Sequence, residues 1–178
     1  MENKELLKLA RMAIESHLHD KEIKIDNEIK KKFSKKQASF VTLTINNELR
    51  GCIGSLEARQ ELWKDVVENA VHAGFHDFRF TPLSENELGK IKIEVSILTT
   101  PIKLDYKNEK NLLDKIDRKM GLILRKQGYS STFLPQVWEQ INGKIEFLEQ
   151  LSLKAGLRRD NWKNAEFWSY RVEKVKED

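Results

Sequence analysis

The sequence predicts an α+β fold, on three observations. Alternating apolar and polar residues at 39–45 and 90–99 have the period of half-buried strands. Apolar residues three and four apart at 3–18 and 61–75 mark amphipathic helices. The first strand turns at Asn46-Asn47 into a second at 49–53. This is a hairpin rather than a strand-helix-strand connection, so a doubly wound parallel sheet does not fit. A chain of 178 residues can enclose one good core or two small lobes.

In the first helix, Leu6, Leu9, Ala10, Ala13 and Ile14 share a face that docks on the body. Residues to 36 then read as a polar, basic connector. Ser39 to Ile45 and Leu49 to Ile53 form the hairpin, with Arg50-Gly51-Cys52-Ile53-Gly54 on its second strand. The second helix buries Leu62, Val66, Ala70 and Ala73 and ends before Phe78-Arg79-Phe80-Thr81-Pro82, where the proline disfavours helix in the residue before it. Ser84 to Leu88 suggests a capped single turn. Ile91, Ile93, Val95 and Ile97 alternate with Lys92, Glu94 and Ser96 in a strand that Pro101 breaks. A short helix is expected at 109–119, a strand at 121–124, and a turn at 127–131 feeding 132–134. Pro135 suits the first turn of a helix. Phe147, Leu148, Leu151 and Ala155 mark another helix, which Gly156 can stop. Residues 166–174 read as a closing strand.

Composition narrows the function classes. No run approaches the roughly 20 apolar residues of a membrane helix, and the N-terminus lacks the apolar core of a secretory signal. A cytoplasmic, membrane-free protein is expected. One cysteine makes no intrachain disulfide, which fits a reducing compartment. The 32 Lys and Arg against 28 Asp and Glu leave a small basic excess. Residues 1–36 hold 10 basic and 7 acidic side chains, so the excess is ascribed to Lys30, Lys31, Lys32, Lys35 and Lys36, a solvated connector. A duplex footprint needs basic residues spread over a face, so nucleic acid is not expected as a partner. Neither GxGxxG, GxxxxGK[ST] nor GxSxG occurs, and no cofactor is expected.

Chemistry centres on Cys52. Gly51 and Gly54 allow a backbone or ligand to come close, and the guanidinium of Arg50, on the same face by strand alternation, favours a thiolate. The competing reading is a small buried apolar residue. Glu94 and Ser96 share the polar face of their strand, so a cleft against the hairpin would be lined by Arg50, Cys52, Glu94 and Ser96. There Glu94 is either the ion-pair partner of Arg50 or a proton acceptor. Asp77 and Arg79 flank Phe78 in a turn, as ligand-positioning groups or as a structural clasp. His72 and His76 have the i, i+4 spacing of a metal-gripping pair, but without the HExxH arrangement no metal site is expected.

Ala38-Ser39-Phe40-Val41-Thr42-Leu43 with Leu49-Arg50-Gly51-Cys52-Ile53-Gly54 resembles the AMMECR-type domain family. The similarity continues through Glu68-Asn69-Ala70 and Asp77 to Leu83, Ile93 to Leu98, Gly121 to Leu124, and Thr132-Phe133-Leu134-Pro135-Gln136-Val137-Trp138. It spans nearly the whole chain, as a single domain over 1–178 with the N-terminal helix and connector packed on the body. Phe78 and Thr81 stand where the family pattern usually has prolines, and His72 and His76 lie outside that pattern. The resemblance implies a twisted antiparallel sheet flanked by helices and a cleft near Leu49 to Gly54. It points to the prokaryotic branch that forms component A of the AmmeMemoRadiSam system, with a Memo-like protein and a radical S-adenosylmethionine protein as partners. It supplies no reaction. The expected function is binding or modification of a small anionic substrate: Arg50, Gly51, Gly54, Asp77, Arg79 and Ser96 hold it, and Cys52 and Glu94 carry any chemistry. The alternative is a non-catalytic module that recognises a protein partner, with Cys52 structural.

Overall fold

The structure is a computed structural model and describes residues 3–178. They form two compact units: one runs to Leu98 and takes back Glu173–Asp178, and the other is Thr99–Val172. Both are α+β, as the sequence predicts.

The first unit contains helices α1 (Lys4–Leu18), α2 (Asn27–Lys32), α3 (Leu62–Phe75) and α4 (Glu85–Leu88), and strands β1 (Ser39–Ile45), β2 (Glu48–Gly54) and β3 (Lys92–Leu98). In the second lie β4 (Ile102–Lys103), α5 (Glu109–Lys115), β5 (Gly121–Lys126), β6 (Tyr129–Phe133), α6 (Lys144–Lys154) and β7 (Glu166–Tyr170), before β8 (Val172–Lys176) returns to the first sheet. The sheet orders are β2-β1-β3-β8 and β4-β7-β5-β6.

Alternation sets the two faces of the first sheet. Val41, Leu43, Ile93, Val95 and Ile97 point one way and are buried against Leu6, Leu9 and Ile14 of α1 and Leu62, Val66, Ala70 and Ala73 of α3. Each fully buried aliphatic side chain contributes about 1.5–3 kcal/mol, so this core fixes which face of the hairpin looks inward. The opposite face carries Phe40, Thr42, Thr44, Glu94 and Lys92. Asn46 and Asn47 have φ of 53° and 67°, the left-handed pair of a two-residue hairpin turn.

In the second unit Leu122, Leu124 and Phe167 of the sheet pack on Phe147, Leu148 and Leu151 of α6. Trp138 stacks on Phe147 with ring centroids 3.6 Å apart. Gly156 stops α6 with φ of 78°, as expected.

Several expectations change. The basic connector contains a helix, α2, whose N-terminus is capped by the Asp26 carboxylate accepting the Glu28 amide at 2.9 Å. Lys30, Lys31 and Lys32 fall in its last turn, where the carbonyl end of a helix favours cations. The closing strand divides at Arg171 into β7 and β8, which belong to different sheets. The turn expected at 127–131 is only Gln127-Gly128, with φ of 50° and 85°, and β6 begins at Tyr129. The helix expected at 109–119 ends at Lys115 because Ile116 is extended. The basic excess is also relocated. Thr99–Val172 holds 14 basic and 9 acidic residues, against 18 and 19 in the other unit. The lysine run is thus balanced within its own unit.

Candidate functional site

Strand pairing arranges the open face of the first sheet in rows. Thr42 on β1 lies opposite Cys52 on one side and Glu94 on the other. Lys174 of β8 extends this row with an ion pair to Glu94 at 3.1 Å. The next row is Gly54–Phe40–Ser96. Gly54 is required there: a Cβ would come 2.2 Å from the Phe40 ring, which crosses it. Cys52, Gly54, Glu94 and Ser96 therefore share one face. The thiol is half-buried, with the Thr42 hydroxyl 3.2 Å away. Among the described residues this hydroxyl is its only side-chain hydrogen-bond partner. Ser96 is buried, its hydroxyl 3.4 Å from Glu94 Oε1.

Arg50 leaves that face. Leu43 pairs with Gly51 but Thr44 with Leu49, so Arg50 is the additional residue of a β-bulge, a device that redirects a side chain. Its Nε and Nη2 donate to the two oxygens of Glu87 at 2.6 and 3.1 Å, and Nη2 also donates to the Thr81 carbonyl at 3.0 Å. Nη1 is enclosed and unpartnered. The Arg50 guanidinium also holds the carboxyl of Glu87 down at about 2, against the opposing effect of burial and with help from the Ser84 amide and hydroxyl. Glu87 and Ser84 are the two halves of a capping box on α4, so one carboxylate caps a helix and anchors the bulge.

Gly51 faces the core. A Cβ there would stand 2.1 Å from the Ala73 carbonyl oxygen of α3, a contact only glycine permits. Asp77 and Arg79 close the outer edge of β2. The Cys52 amide donates to Asp77 Oδ2 at 2.9 Å, and Arg79 Nη2 donates to the Cys52 carbonyl at 3.1 Å. Arg79 also forks onto both Asp77 oxygens at 2.9 and 2.7 Å. With its side chain only 2% exposed, Asp77 is held well below the usual carboxylate range by Arg79 first and then by the Cys52 amide, despite burial. Of the two readings of the Asp77–Arg79 pair, the geometry is that of a clasp. The Phe80 ring lies 5.8 Å from the Arg50 guanidinium and 5.5 Å from that of Arg79.

A second buried carboxylate had no signal beyond an i, i+4 spacing. Asp65 accepts from the Ser39 amide and hydroxyl at 2.8 and 2.7 Å, from Ser55 at 2.8 Å and from Asn69 at 2.9 Å. It ties α3 to the start of β1 and the end of β2. The rings of His72 and His76 are 5.3 Å apart. No group of three or more His, Cys, Asp or Glu able to hold a metal occurs among the described residues, and no helix there is long and apolar enough to cross a membrane.

These features define an α+β domain built around a clamped Leu-Arg-Gly-Cys-Ile-Gly strand. The chain belongs to the AMMECR1 family, whose sequence profile matches residues 7–175. It is similar to Protein NEQ441 of Nanoarchaeum equitans, 41% identical over 88% of this chain and 89% of that one. A protein of Aquifex aeolicus is 38% identical over 93% and 87% of the respective chains. Among solved structures it is similar to the uncharacterized protein PH0010 of Pyrococcus horikoshii, with a TM-score of 0.81 and 32% identity over 99% of this chain and 92% of that one.

Proposed function

We propose that this AMMECR1-domain protein is a recognition component, holding a small anionic molecule on the open face of its first sheet, beside the row Cys52–Thr42–Glu94, for partner enzymes to act on. One observation carries this reading. The backbone of Cys52, the inward face of Gly51 and the guanidinium of Arg50 are all committed to fixing β2, while the side chains of Cys52 and Thr42 stand on the open face. Such a surface is preorganised, which lowers the entropic cost of binding. In this reading Arg50, Gly51, Asp77 and Arg79 position the strand, Cys52 and Glu94 face the ligand, and Gly54, crossed by the Phe40 ring, and the buried Ser96 support that face from the next row.

The resemblance at Leu49 to Gly54 supports a place as component A of an AmmeMemoRadiSam-type system in the cytoplasm, beside a Memo-like protein and a radical S-adenosylmethionine protein. Calorimetric titration of the full chain with each of these proteins tests this. Saturable association with either one is expected, and none with either would remove the assignment.

A second reading makes Cys52 a nucleophile or carrier with Glu94 as proton acceptor. It draws on the Thr42 hydroxyl at 3.2 Å and the partial exposure of the thiol. Iodoacetamide labelling separates the two. Recognition alone predicts that the folded chain is alkylated more slowly than the same chain in denaturant at the same pH, whereas faster labelling of the folded chain would establish an activated thiol.

A further inference from the structure

We infer that the concavity next to this row is an oxyanion site whose positive charge comes from Lys92 and Lys176 rather than from Arg50. The inference rests on the recognition reading above and gives its ligand a chemical class. The concavity measures about 480 Å³ and is lined by Thr42 and Thr44 of β1, Lys92 and Glu94 of β3, Lys176 of β8 and Asn47 of the hairpin turn. Two ammonium groups, two hydroxyls and a carboxamide make this lining rich in donors.

The disposition of its carboxylates sets the sign. Glu94 is paired with Lys174 at 3.1 Å. Glu177, also at the border, is turned away to Arg11 at 2.6 Å and to the Ile93 amide at 3.0 Å. Lys92 and Lys176 form no ion pair among the described residues, which leaves two ammonium groups in the lining, with Asp178 exposed at the rim. Arg50 cannot serve this site: its Nε and Nη2 are spent on Glu87 and Thr81, and its Nη1 is enclosed.

Around this charge Ile93 is the one apolar residue in the lining, and the stems of Lys92 and Lys176 add aliphatic surface beneath their ammonium groups. The groups able to fix a ligand here are two ammonium groups, two hydroxyls and a carboxamide, which suit a compact dianion. The ligand is therefore a compact phosphate or polycarboxylate, seated against Thr42 and so within one residue of the Cys52 thiol.

Calorimetric titration of the full chain with inorganic pyrophosphate, and separately with succinate, tests the site and distinguishes phosphate from carboxylate. Saturable binding of at least one is expected. A Lys92→Gln, Lys176→Gln double variant should bind about ten-fold or more weakly, the size of losing charge-assisted hydrogen bonds. A charge-matched Lys21→Gln, Lys24→Gln variant should bind like the parent, and salt should weaken binding. Binding of neither probe, or equal binding by the two variants, overturns the site. Iodoacetamide labelling of Cys52 with bound probe addresses the parent reading separately. Protection supports recognition on the Cys52 face. Lysine-dependent binding without protection counts against that reading while leaving the site in place.

Discussion

Asp77 accepts the backbone amide of Cys52 at 2.9 Å, and the arginine held by the same carboxylate, Arg79, returns a hydrogen bond to the Cys52 carbonyl at 3.1 Å. β2 is an edge strand, so this amide and carbonyl would otherwise be open to water or to pairing with a foreign strand. Asp77→Ala strands the amide and frees the arginine. A loss of about 2 kcal/mol is expected in urea unfolding, reduced from a fully buried pair because Arg79 is half exposed. Hydrogen exchange at the Cys52 amide should accelerate more than at Val41, which lies in the sheet interior.

Gly51→Ala places a methyl group 2.1 Å from the Ala73 carbonyl oxygen. Backbone atoms cannot swing aside as a side chain can, so α3 must shift away from β2. About 1–3 kcal/mol of destabilisation is expected, seen as a lower urea midpoint. An unchanged midpoint would mean that the helix and hairpin have slack at this contact.

Acid should loosen the bulge. Glu87 is held down at about 2 in the folded chain, whereas a free glutamate titrates at about 4.3. The unfolded chain thus takes up this proton first as pH falls. The stabilisation from the Arg50 pair is fully present above about pH 5 and is lost on the way down to about pH 2. Asp77, also depressed by its arginine, acts in the same direction. Melting temperatures of Glu87→Gln should lie below the parent at pH 7, and the two should converge toward pH 2.

Asp65→Ala removes the common acceptor of Ser39, Ser55 and Asn69. Buried donors without partners make this the most disruptive of these substitutions, at about 3 kcal/mol or more. Asp65→Asn keeps the volume but turns a donor toward donors, so it should recover only part of the loss in calorimetric melting.

What was legible in the sequence is what depends on neighbours along the chain. The helices α1, α3 and α6, the Asn46-Asn47 hairpin, the capped turn at Ser84 and the stop at Gly156 all follow from local periodicity or backbone preference. Alternation placed Glu94 and Ser96 together on one face of their strand, but that this face and Cys52 lie side by side in one sheet depends on β2 and β3 both pairing with β1. Arg50 was misplaced for a reason of this non-local kind. The bulge depends on how Leu43 and Thr44 register against a partner strand, and Glu87, which captures the guanidinium, is distant in sequence. The strand break at Arg171 has the same character: both halves read as strand, and only tertiary structure sends them to different sheets. The basic second unit was overlooked because the lysine run is conspicuous, while the acidic residues that balance it lie elsewhere in the first unit, distant in sequence.

The return of β8 to the first sheet has a consequence for how the protein is made. Synthesis from the N-terminus supplies α1, α3 and β1 to β3 early, yet β3 waits for its outer neighbour until residues 99–172 have been translated. Only then can Glu177 reach Arg11 and the Ile93 amide. A nascent chain therefore exposes the unpaired side of β3 throughout translation of the second unit, a period in which strand edges are prone to mispairing. The second unit is continuous in sequence whereas the first is not, so the sheet that bears Cys52 is completed only after the whole second unit has been made.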